Sequence, residues 1–317
     1  MSVNISVIVP VYGVEKCIQH TMKALLAQTY RDFEIILVDD ETPDCSIEVA
    51  RTVLEQGDIP YRVVKQKNAG VGKARNLGME YACGKWIYFL DSDDVISSCT
   101  LECMHREAED NQADLVFCDY CRFSDYKKIA ECIGEGKKEV MKGTQLQNAF
   151  LRRSIVVLAP GTLYRRSFLH ENSLKFESIR WSEDQHFIWR VLRFVEKAVY
   201  VKEPLYKYYQ RTDSMMGYTA KEKLVDSFSY VLELPKYYEK NPYVARYLIP
   251  RWIMGTVNSA TVMHTYSEWM TLCRDLDVKK NFKVLLGFDD MKVKAAALVG
   301  CLSLRLYYEM IKKRLRK

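Results

Sequence analysis

Trp86-Ile87-Tyr88-Phe89-Leu90 is a short apolar run that ends abruptly in Asp91-Ser92-Asp93-Asp94. Carboxylates that close together repel one another unless something neutralises them. A divalent cation with hard oxygen ligands does so, and an Asp-x-Asp pair can hold one while water or the phosphates of a substrate take its remaining positions. The other use of such a run is an exposed acidic turn capping the helix that follows, since Asp is a common turn and N-cap residue. Tyr12, Asp39, Asp40, Arg75, Glu183, Asp184 and Arg211 are the further side chains able to bind or move charge. The ten cysteines show no paired metal spacing; Cys118 and Cys121 have no second pair at zinc-ligand distance, so neither a zinc site nor disulfides are expected. His20, His105, His170, His186 and His264 form no constellation and read as structural.

These residues need a scaffold, and the first third of the chain supplies a repeating one. Ile5 to Val9 is a β-branched strand that Pro10 should end, because proline has no ladder donor. Cys17, Ile18, Met22, Leu25 and Leu26 then recur at helical spacing. Phe33 to Val38 is a second strand, followed by a helix from Cys45 to Gln56 with Asp44 as its N-cap. Tyr61 to Lys65 is a third strand, and the loop Gln66 to Gly70 opens a helix running through Tyr81. Trp86 to Leu90 is the fourth strand. Strands alternating with helices make a doubly wound parallel sheet, whose ligands bind outside the carboxyl ends of the strands. Tyr12, Asp39, Asp40, Arg75, Asp91 and Asp93 fall there in the sequence, so one crevice is expected to gather them. Neither a GxGxxG after the first strand nor a GxxxxGK[ST] is present, which weighs against dinucleotide dehydrogenases and phosphate-loop NTPases.

Later elements read as a helix from Thr100 to Asn111, a strand from Asp114 to Phe123, a surface excursion from Ser124 to Lys142 and a helix from Thr144 to Arg152. A short helix follows Leu163-Tyr164-Arg165-Arg166, and a longer one, Gln185 to Val195, starts at Trp181-Ser182-Glu183-Asp184, where its dipole favours the acids. Ala198 to Val201 and Leu205 to Tyr209 are strand candidates. Beyond Lys221 only helical periodicity remains: Leu224 to Tyr238, Tyr243 to Met270 and Val293 to Leu315.

At 317 residues, 48% hydrophobic and 28% charged, the chain is ordinary for a soluble protein of one large α/β unit with an appended smaller one. No apolar run approaches the ~20 residues a membrane span needs, and the opening residues do not read as a secretory signal, so a cytoplasmic location is expected. The net charge of +6 is modest and gives no reason to expect a nucleic-acid partner. It is uneven, however: Lys312-Lys313-Arg314-Leu315-Arg316-Lys317 carries five cations behind the apolar stretch Ala295 to Leu304. That combination suits either a helix lying on an anionic leaflet, at the inner face of the cell membrane, or a packed terminal helix with a solvated tail.

Five blocks in order resemble the family 2 glycosyltransferases with the GT-A fold: Pro10-Val11-Tyr12, Gln28-Thr29-Tyr30, Val38-Asp39-Asp40 with Asp44, Asn68-Ala69-Gly70 with Ala74-Arg75-Asn76, and Leu90-Asp91-Ser92-Asp93-Asp94. Leu163-Tyr164-Arg165-Arg166, Glu183-Asp184 and Arg211 with Ser214 resemble later family segments. Gly13 stands where the family has Asn, and Glu41-Thr42-Pro43 where it has Gly-Ser-Thr, beside the donor pocket. The resemblance implies an α/β GT-A fold with a Rossmann-like, mostly parallel sheet flanked by helices over residues 1–215, divided into a nucleotide-sugar half at 1–112 and an acceptor half at 113–215. Residues 216–317 are then a helical extension with a basic tail. It also implies transfer of a sugar from a nucleotide-diphosphate donor, with uridine favoured, to a hydroxyl of a glycan or lipid-linked acceptor, with Mn²⁺ or Mg²⁺ as cofactor.

Roles follow from that resemblance. Asp91 and Asp93 would hold the metal. Pro10, Tyr12, Asp40, Arg75, Asp91, Ser92 and Arg211 would bind the donor, Asp40 by accepting a hydrogen bond from the base. Asp184 would take the acceptor proton, and a single displacement would invert the anomeric centre. Glu183 could equally be catalytic or a helix cap, while Asp39 reads as structural because adjacent side chains diverge. A nucleotidyltransferase lacks support, since the glycine-rich opening loop is missing; a non-catalytic nucleotide-sugar-binding or scaffold protein of the same fold is the alternative. The sugar, acceptor and oligomeric state are not written in these motifs.

Overall fold

The structure, a computed structural model, describes residues 3–126, 131–152, 154–178, 183–210, 249–288 and 290–315. It divides into two compact units, residues 1–179 with 183–212 and residues 180–182 with 213–317. The first unit opens with β1 (Ile5–Val11), α1 (Ile18–Leu26), β2 (Phe33–Asp39), α2 (Ser46–Leu54), β3 (Tyr61–Lys65), α3 (Val71–Tyr81) and β4 (Trp86–Phe89). It continues with β5 (Val95–Ile96), α4 (Thr100–Asn111), β6 (Leu115–Phe123), β7 (Lys137–Lys142), α5 (Gly143–Leu151), β8 (Thr162–Arg165), α6 (Arg166–Glu171), α7 (Glu183–Phe194) and β9 (Lys197–Tyr209).

One sheet runs β3-β2-β1-β4-β8-β6-β9-β5, with β7 attached to β9. The β1, β2, β3 and β4 ladders are parallel, as the alternating elements require. The second half is mixed: β8 is antiparallel to β4 and β6, β5 and β7 are antiparallel to β9, and β6 and β9 are parallel. The continuous apolar runs of β1 and β2 reflect burial on both faces. Ile5, Val7, Val9 and Val11 pack with α1, α2 and α4, whereas Ile8 faces the opposite core with Ala74 of α3 and Phe187 of α7.

Three local expectations are corrected. Pro10 does not end β1, which continues to Val11 with Pro10 in register with Val38. The Leu90 amide bonds Ile8 on one side and the Asp40 amide bonds Val11 on the other. Alternation therefore points Pro10 toward β4, which has already left the sheet, so no donor is missed. The excursion at 124–142 contains β7, an edge strand whose mostly exposed side chains carry no core pattern. The two strand candidates around Pro204 are one strand, β9; its register with β6 shifts between Cys118 and Tyr120, so Pro204 sits where the ladder is already interrupted. Gly161 takes φ +78, and a Cβ there would come within 2.6 Å of the Tyr206 ring, which fixes glycine at the start of β8.

The second unit holds α8 (Ile249–Met263), α9 (Tyr266–Asp275), α10 (Val278–Leu285), α11 (Met291–Leu302) and α12 (Leu304–Leu315) around Trp269, Phe282, Tyr307 and Ile311. The expected helix from Tyr243 to Met270 breaks at Thr265, which forms a capping box with Glu268. The expected helix from Val293 to Leu315 breaks at the extended Ser303, and α10 went unread. The helix expected from Leu224 to Tyr238 lies outside the described residues.

Candidate active site

The turn after β4 separates its acids. The Asp94 amide bonds the Asp91 carbonyl at 3.1 Å, leaving Asp91 and Asp93 half-buried and Asp94 fully buried. Asp94 therefore does not emerge with the other two. Its carboxyl accepts the Tyr206 hydroxyl and, at 2.7 Å, the Tyr209 amide, so it ties the turn to β9. Burial, then the charges of Asp93 and Asp91, push it well above the usual carboxylate range. Ser92 is buried, and its carbonyl accepts the Thr21 hydroxyl at 2.9 Å. Tyr126 donates its hydroxyl to the Asp93 carbonyl at 2.6 Å and stacks on His20 at 3.9 Å. Burial, then Lys23, lowers the His20 pKa, so a neutral ring supports the turn. His20 thus has a place beside the site that its sequence neighbourhood does not reveal.

Arg75 joins three elements. It stands near the start of α3 with a side chain 3% exposed, donating to Asp91 at 2.7 Å and to Glu183 at 3.2 Å. Burial opposes the Arg75 charge, but Asp91, Glu183 and Asp184 outweigh it and raise the pKa of the guanidinium. Its Nε is buried without a partner, and its carbon lies 5.1 Å from the Phe176 ring. Asn76, one position on, holds the chain ahead of α7 by exchanging two hydrogen bonds with the Phe176 backbone at 2.7 and 2.8 Å. Gly72 admits Glu183: a Cβ there would lie 3.3 Å from the Glu183 Cγ. The first turn of α7 is thereby docked against the carboxylate turn. Asp184 accepts the Gln185 amide at 2.7 Å. Burial raises its carboxyl, Arg75 opposes that, and Asp91 adds to it, leaving it above the usual range. Glu183 is likewise raised by burial against the opposing pull of Arg75. Arg75 is accordingly a bridge between acids rather than a solvent-facing cation.

At the ends of β1 and β2, Tyr12 is 52% exposed beyond β1, while Pro10 is buried within it. Asp40 is buried and accepts from the Gln66 amide side chain at 2.7 Å, Ala69 N at 2.9 Å and Gly70 N at 3.0 Å. A carboxylate offers about four lone-pair sites, so three are spent and one is left. Glu41 adopts φ 56 and accepts the Asn68 amide at 3.2 Å. Three consecutive amides ahead of α3 are thus satisfied by two acids from the end of β2, which neither acid's spacing discloses. The available signal is that α3 has no capping side chain of its own, so its first N–H groups need outside acceptors. Asp39 accepts Thr42 N at 2.9 Å and pairs with Lys65 at 3.5 Å. Arg211 lies outside the described residues.

The donor set suits a hard cation. Arg75 bonds one oxygen of Asp91, Asp93 lies two residues on in the same turn, and carboxylate oxygens are donors of the kind Mg²⁺ and Mn²⁺ favour. Among the described residues no group of three or more His, Cys, Asp and Glu side chains could hold a metal alone. A cavity of about 820 Å³ between α3 and α6 is lined by Asn76 but by neither Arg75 nor any of these acids.

The family model described as Glycosyl transferase family 2 matches residues 6–172. The uncharacterized glycosyltransferase EpsJ of Bacillus subtilis (strain 168) is 32% identical over 302 residues, covering 90% of this chain and 84% of EpsJ. Residues 1–349 of S. aureus TarS in complex with UDP-GlcNAc superpose with a TM-score of 0.74 at 17% identity, covering 99% and 91% of the two chains, which speaks to the fold. The mannosyltransferase PcManGT from Pyrobaculum calidifontis, in complex with GDP-Man and Mn²⁺, gives 0.56 at 16% identity over 95% and 88%. With a match over more than half its length and a relative aligned along most of both sequences, the chain belongs to glycosyl transferase family 2, and is a glycosyltransferase that draws its sugar from a nucleotide-diphosphate donor.

Proposed function

We propose that this enzyme transfers its sugar with inversion, by single displacement, with Asp184 as the base. The Arg75 bridge from Asp91 to Glu183 carries this reading, because it brings the start of α7 against the carboxylate turn. The acceptor oxygen attacks the anomeric carbon, its proton passes to Asp184, and the bond to the diphosphate breaks. A carboxyl already raised by burial is closer to the pH at which it works, which suits a base. Asp91 and Asp93 would hold Mn²⁺ or Mg²⁺, which when bound stabilises charge on the diphosphate. Tyr12, Pro10, Ser92 and the remaining acceptor position of Asp40 would border the nucleoside, with uridine favoured; Arg211 is a second cation for the phosphates.

The test is nucleoside-diphosphate release from a panel of nucleotide sugars with each cation, followed by the anomeric configuration of the product. Turnover of a uridine donor with inversion supports the reading; retention of configuration, or turnover indifferent to chelation, overturns it.

The acceptor in this reading is lipid-linked or a growing surface glycan, reached from the inner membrane face. No helix among the described residues is long and apolar enough to cross a membrane. Yet Met291 is 73% exposed, Leu298 50%, Leu302 75% and Leu306 64%. On α11 the first three recur at intervals of seven and four, which places them on one face, and exposed Lys292, Arg305, Lys313 and Arg314 lie on the same two helices. Apolar side chains beside cations suit an anionic leaflet. The full chain is expected to float with vesicles containing anionic lipid, and Leu298→Glu with Leu302→Glu to stay in the pellet; equal flotation by both removes the membrane contact.

A further inference from the structure

Tyr12 has no hydrogen bond or ring contact among the described residues, although half of its side chain is covered. No partner fixes the ring, so its place depends on the backbone on either side. Before it, the Val11 carbonyl accepts the Asp40 amide at 3.1 Å. After it, three consecutive amides are taken by three side chains of a single turn. Gly13 N donates to the Thr42 hydroxyl at 2.9 Å, Val14 N to the Ser46 hydroxyl at 2.9 Å, and Glu15 N to the Asp44 carboxylate at 3.1 Å. The turn is held in return, its Cys45 amide donating to the Glu15 carboxylate at 3.1 Å.

Thr42 is the member of this clamp that bonds the residue next to Tyr12. Its own proton goes to Asp44 at 2.7 Å. At Asp44, burial is outweighed by the hydrogen bonds from Ser46, Thr42 and Glu15, which hold the carboxyl below its usual range and leave it an acceptor only. With the Thr42 proton committed there, the oxygen lone pairs are free for the Gly13 N–H. Asp39 accepts Thr42 N at 2.9 Å, which ties the clamp to the end of β2, and Gly13 takes φ +65, so a left-handed residue follows Tyr12 directly. We propose that Thr42 is a positioning residue for donor binding, its hydroxyl holding the Gly13 amide so that Tyr12 stands where the nucleoside binds. This role rests on the reading of Tyr12 as a border of the nucleoside. Removing the hydroxyl frees the backbone behind the ring and leaves the acids of the Asp91 turn untouched, so donor affinity falls and KM moves more than kcat.

Titration of UDP, dTDP and GDP into the full wild-type chain with Mn²⁺ selects the tightest nucleotide, whose Kd is then measured for variants alongside the donor KM and kcat. Thr42→Val keeps the shape and loses both hydrogen bonds of the hydroxyl; it is expected to raise Kd and KM about fivefold, the worth of one hydrogen bond. Thr42→Ser, which keeps the hydroxyl, should restore the affinity. Tyr12→Ala should weaken nucleotide binding at least as much, and in that background Thr42→Val should add nothing, because Thr42 acts through the ring. Wild-type Kd in Thr42→Val beside a weakened Tyr12→Ala overturns the role of Thr42 and leaves the nucleoside reading standing, whereas wild-type Kd in Tyr12→Ala removes both. An equal loss from Thr42→Val with and without the Tyr12 ring also overturns the role. Hydrogen exchange in the wild-type chain needs no variant to fold: the Gly13, Val14 and Glu15 amides are expected to exchange slowly, and exchange at the rate of an unfolded peptide overturns the clamp.

Discussion

Asp184→Asn is expected to lower kcat by about three orders of magnitude while the protein stays folded and still binds donor. The substitution preserves shape, and the amide oxygen can still accept the Gln185 N–H now bonded at 2.7 Å. What it removes, if Asp184 is the base as proposed, is the place for the acceptor proton. Stability should move in the opposite direction from activity. Burial raises the Asp184 carboxyl in the folded protein, so the wild-type group favours folding below the unfolded value of about 3.9 and loses that contribution as pH rises through the higher folded value. The neutral variant has no such loss, so its melting temperature relative to wild type should improve as pH rises from about 4 through the higher folded value. Parallel kinetics and thermal melts check both halves. A kcat reduced less than tenfold would place the base elsewhere, and an unchanged KM for donor would show that the loss lies in the chemical step.

Legibility differed between the two halves of the enzyme for a physical reason. In the first, each strand is buried on both faces and each crossover is a helix, so Ile5 to Val9 and Phe33 to Val38 announce themselves as apolar runs and their order follows from parallel pairing. Asp40 and Asp91 then read as following β2 and β4, and Arg75 as lying in the helix after β3. In the second half, β7 has no buried face to speak of and β9 passes through Pro204, so propensity and periodicity misjudge both. The site shows the same division. Residue types near strand ends could be read, but partnerships could not: that Asp94 turns inward to Tyr206, that Asp40 spends three acceptor positions on the loop before α3, or that His20 lies on Tyr126 depends on contacts 26 to 112 residues apart. Thr265-Tyr266-Ser267-Glu268 is a different case. Its capping box is a local signal, and the continuous apolar periodicity on either side outweighed it.

Arg75→Met should cost both stability and activity, because among the described residues Arg75 is the group that both neutralises and spaces the acids. With Arg75 3% exposed and its partners Asp91 and Glu183 at 28% and 14%, deletion leaves two carboxylates short of their counter-charge. Breaking a buried pair from one side destabilises by roughly 3 kcal/mol, and misplacing catalytic groups by about an ångström costs on the order of 10²-fold in rate. Both losses are expected, together with a displaced pH profile. As the proposed base Asp184 must be deprotonated, burial raises its pKa, and Arg75 is the largest influence holding it down. Without Arg75 the acidic limb of the rate profile should move to higher pH, which lost stability alone would not produce. Arg75→Lys separates the contributions: it restores a charge but cannot span Asp91 and Glu183 with two nitrogens. It should therefore recover part of the melting temperature and part of the limb's position while kcat stays low. Arg75→Met with wild-type melting and an unmoved acidic limb would mean that α7 and the Asp91 turn are held together by packing around Phe176 and Asn76, and that the ion pairs only decorate it.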